Sequence, residues 1–153
     1  MNTFTTVDQI IDFAINAEQE AVDFYTNLAS TNTSEAIKKV FTLYAAEEAG
    51  HKKKLISVKQ EGYFAKLEIA PLIQNLRISE YLTDVIPSGK MDYSEALILA
   101  MKKEEAAFKL YTDLSLIAPN QEMRNLFQDL AVEESKHKLR FELEYDEHIL
   151  REN

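Results

Sequence analysis

Two short patterns in this chain of 153 residues carry ligand chemistry: Glu48-Ala49-Gly50-His51 and Glu134-Ser135-Lys136-His137. Three residues along an α-helix is about 300° of rotation and roughly 4.5 Å of rise, so each carboxylate and its imidazole project from neighbouring points on one face. A single Glu-x-x-His arises easily in a Glu- and Lys-rich helix. This chain adds a further glutamate 30 residues upstream of each motif, Glu18 and Glu104. Glu18 lies among Ala14, Ala17, Ala21 and Tyr25, and Glu104 among Ala100, Met101, Ala107, Phe108 and Tyr111. Such neighbours predict that both carboxylates face inward, with room left for something else. Burying four carboxylates without compensation costs several kcal/mol each. Two divalent cations carry four positive charges, which balance four glutamates with both histidines neutral. Glu and His donors suit Fe(II), Fe(III) and Mn(II), and they leave Zn open.

The elements that must position these residues are helical. Thr6 with Gln9 reads as a capping box, and Asp8 favours the positive end of the helix dipole. Ile10, Phe13, Ala14, Ala17, Ala21, Phe24, Tyr25 and Leu28 then follow the i, i+3, i+4 pattern of an amphipathic helix. The polar cluster 30–34 breaks it. A second helix is predicted from about Glu35 to Lys59, with Val40, Phe41, Tyr44, Leu55 and Val58 on its apolar side. A third starts from Asp92, with Glu95 at its third position, and ends near Ile117. Pro119 is expected in the first turn of a fourth, which runs almost to the C-terminus.

Displacing the chain against itself by 86 residues aligns its two halves. Ala14, Glu18, Ala21, Tyr25, Thr26 and Leu28 recur as Ala100, Glu104, Ala107, Tyr111, Thr112 and Leu114. Phe41, Ala45, Glu47, Glu48, His51 and Lys52 recur as Phe127, Ala131, Glu133, Glu134, His137 and Lys138. These 12 identities in 27 ungapped positions predict a duplicated helical hairpin. A solenoid needs at least three repeats. The expected architecture is all-α: one domain over 1–153, with hairpins at 6–60 and 92–151 and a long crossover at 61–91. That crossover holds Gly62, Pro71, Pro87 and Gly89, yet also apolar Leu67, Ile69, Leu72, Leu76, Tyr81 and Val85. It is too apolar for a solvated linker, and packing along a four-helix bundle fits it best.

Composition excludes several function classes. The formal charge of −9 argues against nucleic acid and anionic membrane surfaces as partners, since both want a basic face. Zero Cys removes disulfides, thiolate metal sites and a cysteine nucleophile. No basic and apolar leader opens the chain and no run approaches 18 apolar residues, so a cytoplasmic location is expected. If four of the 26 acidic residues are ligands, two divalent ions bring the net charge from −9 to about −5.

The chain resembles the ferritin-like superfamily, and within it the rubrerythrin-type and bacterioferritin-type di-iron proteins, over nearly its whole length. Glu18 and Tyr25 in AEQEAVDFY, Glu48 and His51 in AAEEAGH, Glu104 and Tyr111 in KEEAAFKLY, and Glu134 and His137 in AVEESKH carry the resemblance. One Glu from each of two helices and a Glu-x-x-His from each of the other two is the layout of di-iron and di-manganese bundles. The resemblance implies a ferritin-like bundle holding two iron ions. Glu48 and Glu134 would bridge them, with Glu18 and His51 completing one metal and Glu104 and His137 the other. Two departures stand out. Rubrerythrins proper carry a rubredoxin-like Cys₄ site, which a sequence without Cys cannot form. Their third helix also carries an extra glutamate, where this sequence has Met101 and Ala107 three residues either side of Glu104. A symmetric site of the bacterioferritin type is therefore favoured, and no 24-subunit cage is implied.

Other recurring or unusual residues have plainer readings. Glu47 and Glu133 turn about 100° away from the ligands and are expected on a solvated face. Tyr25 and Tyr111 are either donors to the ligand carboxylates or core aromatics. Gly50 is read as a tolerated glycine, His148 as a surface residue and Lys52-Lys53-Lys54 as a solvated face. The leading functional expectation is a redox protein that reacts with O₂ or H₂O₂, as a ferroxidase or a peroxidase. Fe(II) is then a small substrate and electrons come from an external donor. A di-iron hydroxylase of an organic substrate and a non-catalytic metal-binding or assembly module are the alternatives. A homodimer is also expected, because four-helix bundles readily pair by a two-fold axis.

Overall fold

A computed structural model describes residues 6–32, 34–62 and 92–152. Those residues form four α-helices and no extended strand: α1 Val7–Thr31, α2 Glu35–Glu61, α3 Tyr93–Ile117 and α4 Gln121–Glu152. The chain divides into two compact units, the first holding α1 and α2, the second α3 and α4. The expected crossover at 61–91 lies outside the described residues from position 63 onward.

In the first hairpin the predicted capping box is present. The Thr6 hydroxyl accepts from the Gln9 amide, and the Gln9 side chain accepts from the Thr6 amide, both at 3.3 Å. The polar cluster that ends α1 also begins α2. The Asn32 amide donates back to the Leu28 carbonyl, the Asn32 side chain accepts from the Ser34 amide at 2.9 Å, and Ser34 caps α2 through the Ile37 amide. So few linking residues leave α1 and α2 no choice but to run antiparallel. At its far end α2 stops at Gly62, whose φ of 73° lies in the left-handed region that glycine enters without a Cβ clash.

The buried side of α1 is Val7, Ile10, Ile11, Ala14, Ala21, Phe24, Tyr25 and Leu28; α2 contributes Phe41, Ala45, Leu55 and Val58. Each large side chain among them is worth about 1.5–3 kcal/mol on full burial. Phe13, Ala17, Val40 and Tyr44, predicted on the apolar faces, are only half-buried, while Ile11 is fully buried.

In the second hairpin Asp92 caps α3 as predicted, its carboxylate accepting from the Glu95 amide at 2.8 Å. The start of α4 differs from expectation. Asn120 is its cap, with its side-chain oxygen accepting from the Met123 amide at 2.9 Å, and Pro119 stands outside the helix. Asparagine supplies an acceptor for an amide that has no carbonyl partner in the first turn; proline has no such group. The buried residues here include Leu97, Leu99, Ala100, Leu110, Tyr111 and Leu114 of α3, with Met123, Phe127, Leu130, Ala131 and Phe141 of α4. The outer face of α4 also exposes Val132, Leu139, Leu143 and Leu150.

Candidate metal centre

Helical periodicity alone turns Glu18 inward: it falls on the stripe defined by Ala14, Ala21 and Tyr25, and only 2% of it is exposed. Across the hairpin, Glu48 and His51 fall on the buried stripe of α2 between Ala45 and Leu55, at 1% and 6%. His51 Nδ1 stands 3.7 Å from a carboxylate oxygen of Glu18 and 3.7 Å from one of Glu48. One donor atom from each of the three lies within 4.8 Å of the other two.

The second hairpin repeats the arrangement. Glu104, Glu134 and His137 are exposed by 1%, 1% and 2%. His137 Nδ1 is 3.5 Å from a Glu104 oxygen, and the three residues again offer donor atoms within 4.8 Å of one another. Ligands each about 2.1 Å from one metal stand roughly 3.0–3.4 Å apart for tetrahedral or octahedral angles, so the observed spacings need only small closure. Two carboxylates and an imidazole in each hairpin, buried and converging, therefore make a donor set that fits a divalent cation. A buried Glu/His cluster of this composition could hold metal ions.

Layers of rings lie beyond these Glu and His residues. Tyr25 is fully buried, stacked on Phe41 at 6.1 Å and 18° and edge-on to Tyr44 at 6.4 Å, with Phe24 tilted against it at 5.5 Å. Tyr111 stacks on Phe127 at 6.4 Å and 15°. Both tyrosines therefore stand in the aromatic core of their hairpins.

Other expectations need correction. Glu47 is half-buried instead of solvated; the Glu133 side chain does reach solvent, where it pairs with Lys136 at 3.8 Å one turn along α4. His148 is half-buried and packs edge-on against Tyr93 at 5.0 Å, because α4 continues far enough to return beside the start of α3. Gly50 does behave as a tolerated glycine, since an added Cβ would meet nothing within 4 Å. Of the three lysines after His51, Lys53 and Lys54 are solvated, but Lys52 reaches across the hairpin and donates to the Gln19 side chain at 2.7 Å. The recurrence of Lys52 as Lys138 was the available signal for that contact.

The rubrerythrin family model matches residues 9–145, which takes in both hairpins and all six inward-facing Glu and His residues. The chain belongs to the rubrerythrin family. Its structure is also similar to a solved structure described only as a hypothetical protein from Pyrococcus furiosus. The TM-score is 0.71 at 28% identity, covering 90% of this chain and 86% of that one. No curated protein matches the chain. Four helices without a strand among the described residues, in a rubrerythrin-family chain, are consistent with a ferritin-like four-helix bundle. Among those residues no helix is long and apolar enough to cross a membrane.

Proposed function

We propose that this rubrerythrin-family protein is a di-iron carboxylate redox protein that reacts with O₂ or H₂O₂, as a ferroxidase or a peroxidase. Its place would be in iron handling or defence against oxidative stress. The observation that supports the reading is the duplicated set of buried donors, Glu18, Glu48 and His51 in one hairpin and Glu104, Glu134 and His137 in the other. Bound iron supplies the capacity to take up two electrons' worth of oxidation; manganese would suit the same donors. In this reading Glu18, Glu48 and His51 would hold one iron ion and Glu104, Glu134 and His137 the other. Burial keeps bulk water from the donors, which strengthens their hold on charge. Fe(II) is the substrate of a ferroxidase, whereas a peroxidase draws electrons from an external one-electron donor.

Anaerobic loading with Fe(II) followed by peroxide tests the proposal. The expected result is two iron ions per chain, an absorbance change on peroxide addition, and consumption of the peroxide. Loading without either change would leave a structural metal site and overturn the redox reading. Chelation separates the same two cases: a structural site loses much of its thermal stability with EDTA and shows no turnover when iron is restored.

A further inference from the structure

Small buried residues flank the inward-facing carboxylates along each helix. The buried residues one turn along the helix from the carboxylates include Ala14 and Ala21 for Glu18, Ala45 for Glu48, Ala100 for Glu104 and Ala131 for Glu134, whereas Leu55, Leu130 and Phe141 are the large buried residues a turn from His51, Glu134 and His137. Alanines leave room for a metal, but they interdigitate little and so resist rotation of one helix against the other weakly. Rotation matters here. Turning a helix by about 20° swings a carboxylate held roughly 6 Å from the axis through about 2 Å, the length of a metal–oxygen bond. Binding constellations must be held to within about 0.5 Å.

Something must fix the helices where the side chains are small, and both hairpins place a polar tie there. The residue directly after His51 is Lys52, and it donates to Gln19, the residue directly after Glu18, at 2.7 Å. In the second hairpin Lys138 follows His137 and approaches Glu105, which follows Glu104, at 3.8 Å, with Glu142 at 3.9 Å as a second partner. The ties join the same positions of the repeat, although the acceptor has changed from an amide to a carboxylate.

We infer that Lys52 and Lys138 are positioning residues, which hold the two helices of each hairpin at the rotation that brings Glu18 to His51 and Glu104 to His137. The inference rests on the proposal that these residues bind metal. Lys52 carries more of the effect, because its tie is shorter and Lys138 is shared between two carboxylates. The first hairpin supplies its own control. Lys59 and Asp12 form a further tie across the same two helices, seven residues from Lys52 and from Gln19, and therefore two turns away from the ligands.

Co(II) titration followed by its visible absorption, with thermal unfolding of the metal-free proteins in parallel, tests the assignment. Lys52→Met keeps the aliphatic stem and removes the donor. It is expected to weaken binding about threefold to tenfold, below the roughly 10–100-fold seen when a direct hydrogen-bond partner of a ligand is lost. Lys52→Arg and Gln19→Glu keep a tie and should bind within about twofold of wild type, whereas Gln19→Leu should match Lys52→Met. Lys59→Met should lower thermal stability and leave Co(II) affinity unchanged. Wild-type affinity in Lys52→Met, or an equal loss in Lys59→Met, overturns the assignment. Failure of the wild-type protein to take up two Co(II) ions would instead overturn the metal-site reading itself.

Discussion

The two hairpins are copies that have kept their interior chemistry and lost most of their resemblance elsewhere. Each keeps a glutamate on its first helix, a Glu-x-x-His on its second, a tyrosine stacked on a phenylalanine two turns along, and a lysine tie beside the Glu and His residues. They differ at both ends. At the aromatic end the first hairpin gathers four rings, Phe24, Tyr25, Phe41 and Tyr44; the repeat positions of Phe24 and Tyr44 are Leu110 and Leu130 in the second. At the other end Asp12 and Lys59 close the first hairpin. In the second, the Tyr93 hydroxyl donates to Glu144 at 3.2 Å, Arg151 donates to the same carboxylate at 3.2 Å, and His148 covers the Tyr93 ring. Closure by any sound polar or apolar contact satisfies folding, so those ends could diverge. Metal ligation, the role proposed for the interior cluster, tolerates far fewer substitutes.

The comparison breaks most completely at the ligands. Glu48→Ala and Glu134→Ala should each abolish the stoichiometry of two metal ions per chain, measured by elemental analysis after loading. If the hairpins are equivalent inside, the two variants should lose metal alike; retention of two ions by either would refute its ligand assignment. The aromatic layer comes next. Tyr25→Ala and Tyr111→Ala should each cost about 3–5 kcal/mol, as large buried rings do on truncation. Tyr25→Ala should cost the more, since ring pairs add about 0.5–1.5 kcal/mol beyond area and its ring neighbours Phe24 and Tyr44 have leucines, Leu110 and Leu130, at their repeat positions. Equal losses in urea unfolding would show that the four-ring cluster adds nothing.

Tyr93 sharpens the difference at the closed ends, with a smaller effect. Burial, reinforced by the Glu144 carboxylate, pushes the Tyr93 hydroxyl well above its ordinary value of 10.0. The folded protein then keeps a proton that the unfolded chain gives up above about pH 10, so the unfolded state binds fewer protons and stability falls as pH rises. Tyr93→Phe removes that contribution. Its stability curve should fall less steeply than that of wild type between about pH 10 and 11, and it should lose about 1 kcal/mol at neutral pH for one hydrogen bond. Parallel curves for the two proteins would refute the coupling. The smallest effect belongs to the exposed Asp12–Lys59 tie, where the hydrogen bond to Asp12 raises the lysine above its ordinary value. Lys59→Met should lower the melting temperature slightly at low ionic strength, and the difference should vanish in concentrated salt.

Much of this was legible in residue order because helical rules are local. A period of 3.6 residues is enough to place Glu18, Glu48 and Glu104 on buried stripes, and Thr6, Ser34 and Asp92 act on amides two or three positions away. Duplication added what one helix cannot show, since polar identities 86 residues apart pointed to ligands held in common. The errors share one cause. Pro119 lost the start of α4 to a neighbour with a better acceptor. His148, placed at the surface from its polar surroundings in sequence, meets a ring of another helix. Nothing within α2 distinguishes Lys52 from Lys53 and Lys54; only the rotation of α1 beside it puts an acceptor within reach of the first.

The sequence by itself thus determined the helices, their inward faces, the duplication and the donor types, because each follows from spacing along one chain segment. Tertiary structure decided which residues of different helices meet: the 3.7 Å and 3.5 Å approaches of His51 to Glu18 and of His137 to Glu104, the lysine ties and the closed ends. Those contacts depend on the register and rotation of packed helices, which arise from the summed fit of many side chains and are written at no single position.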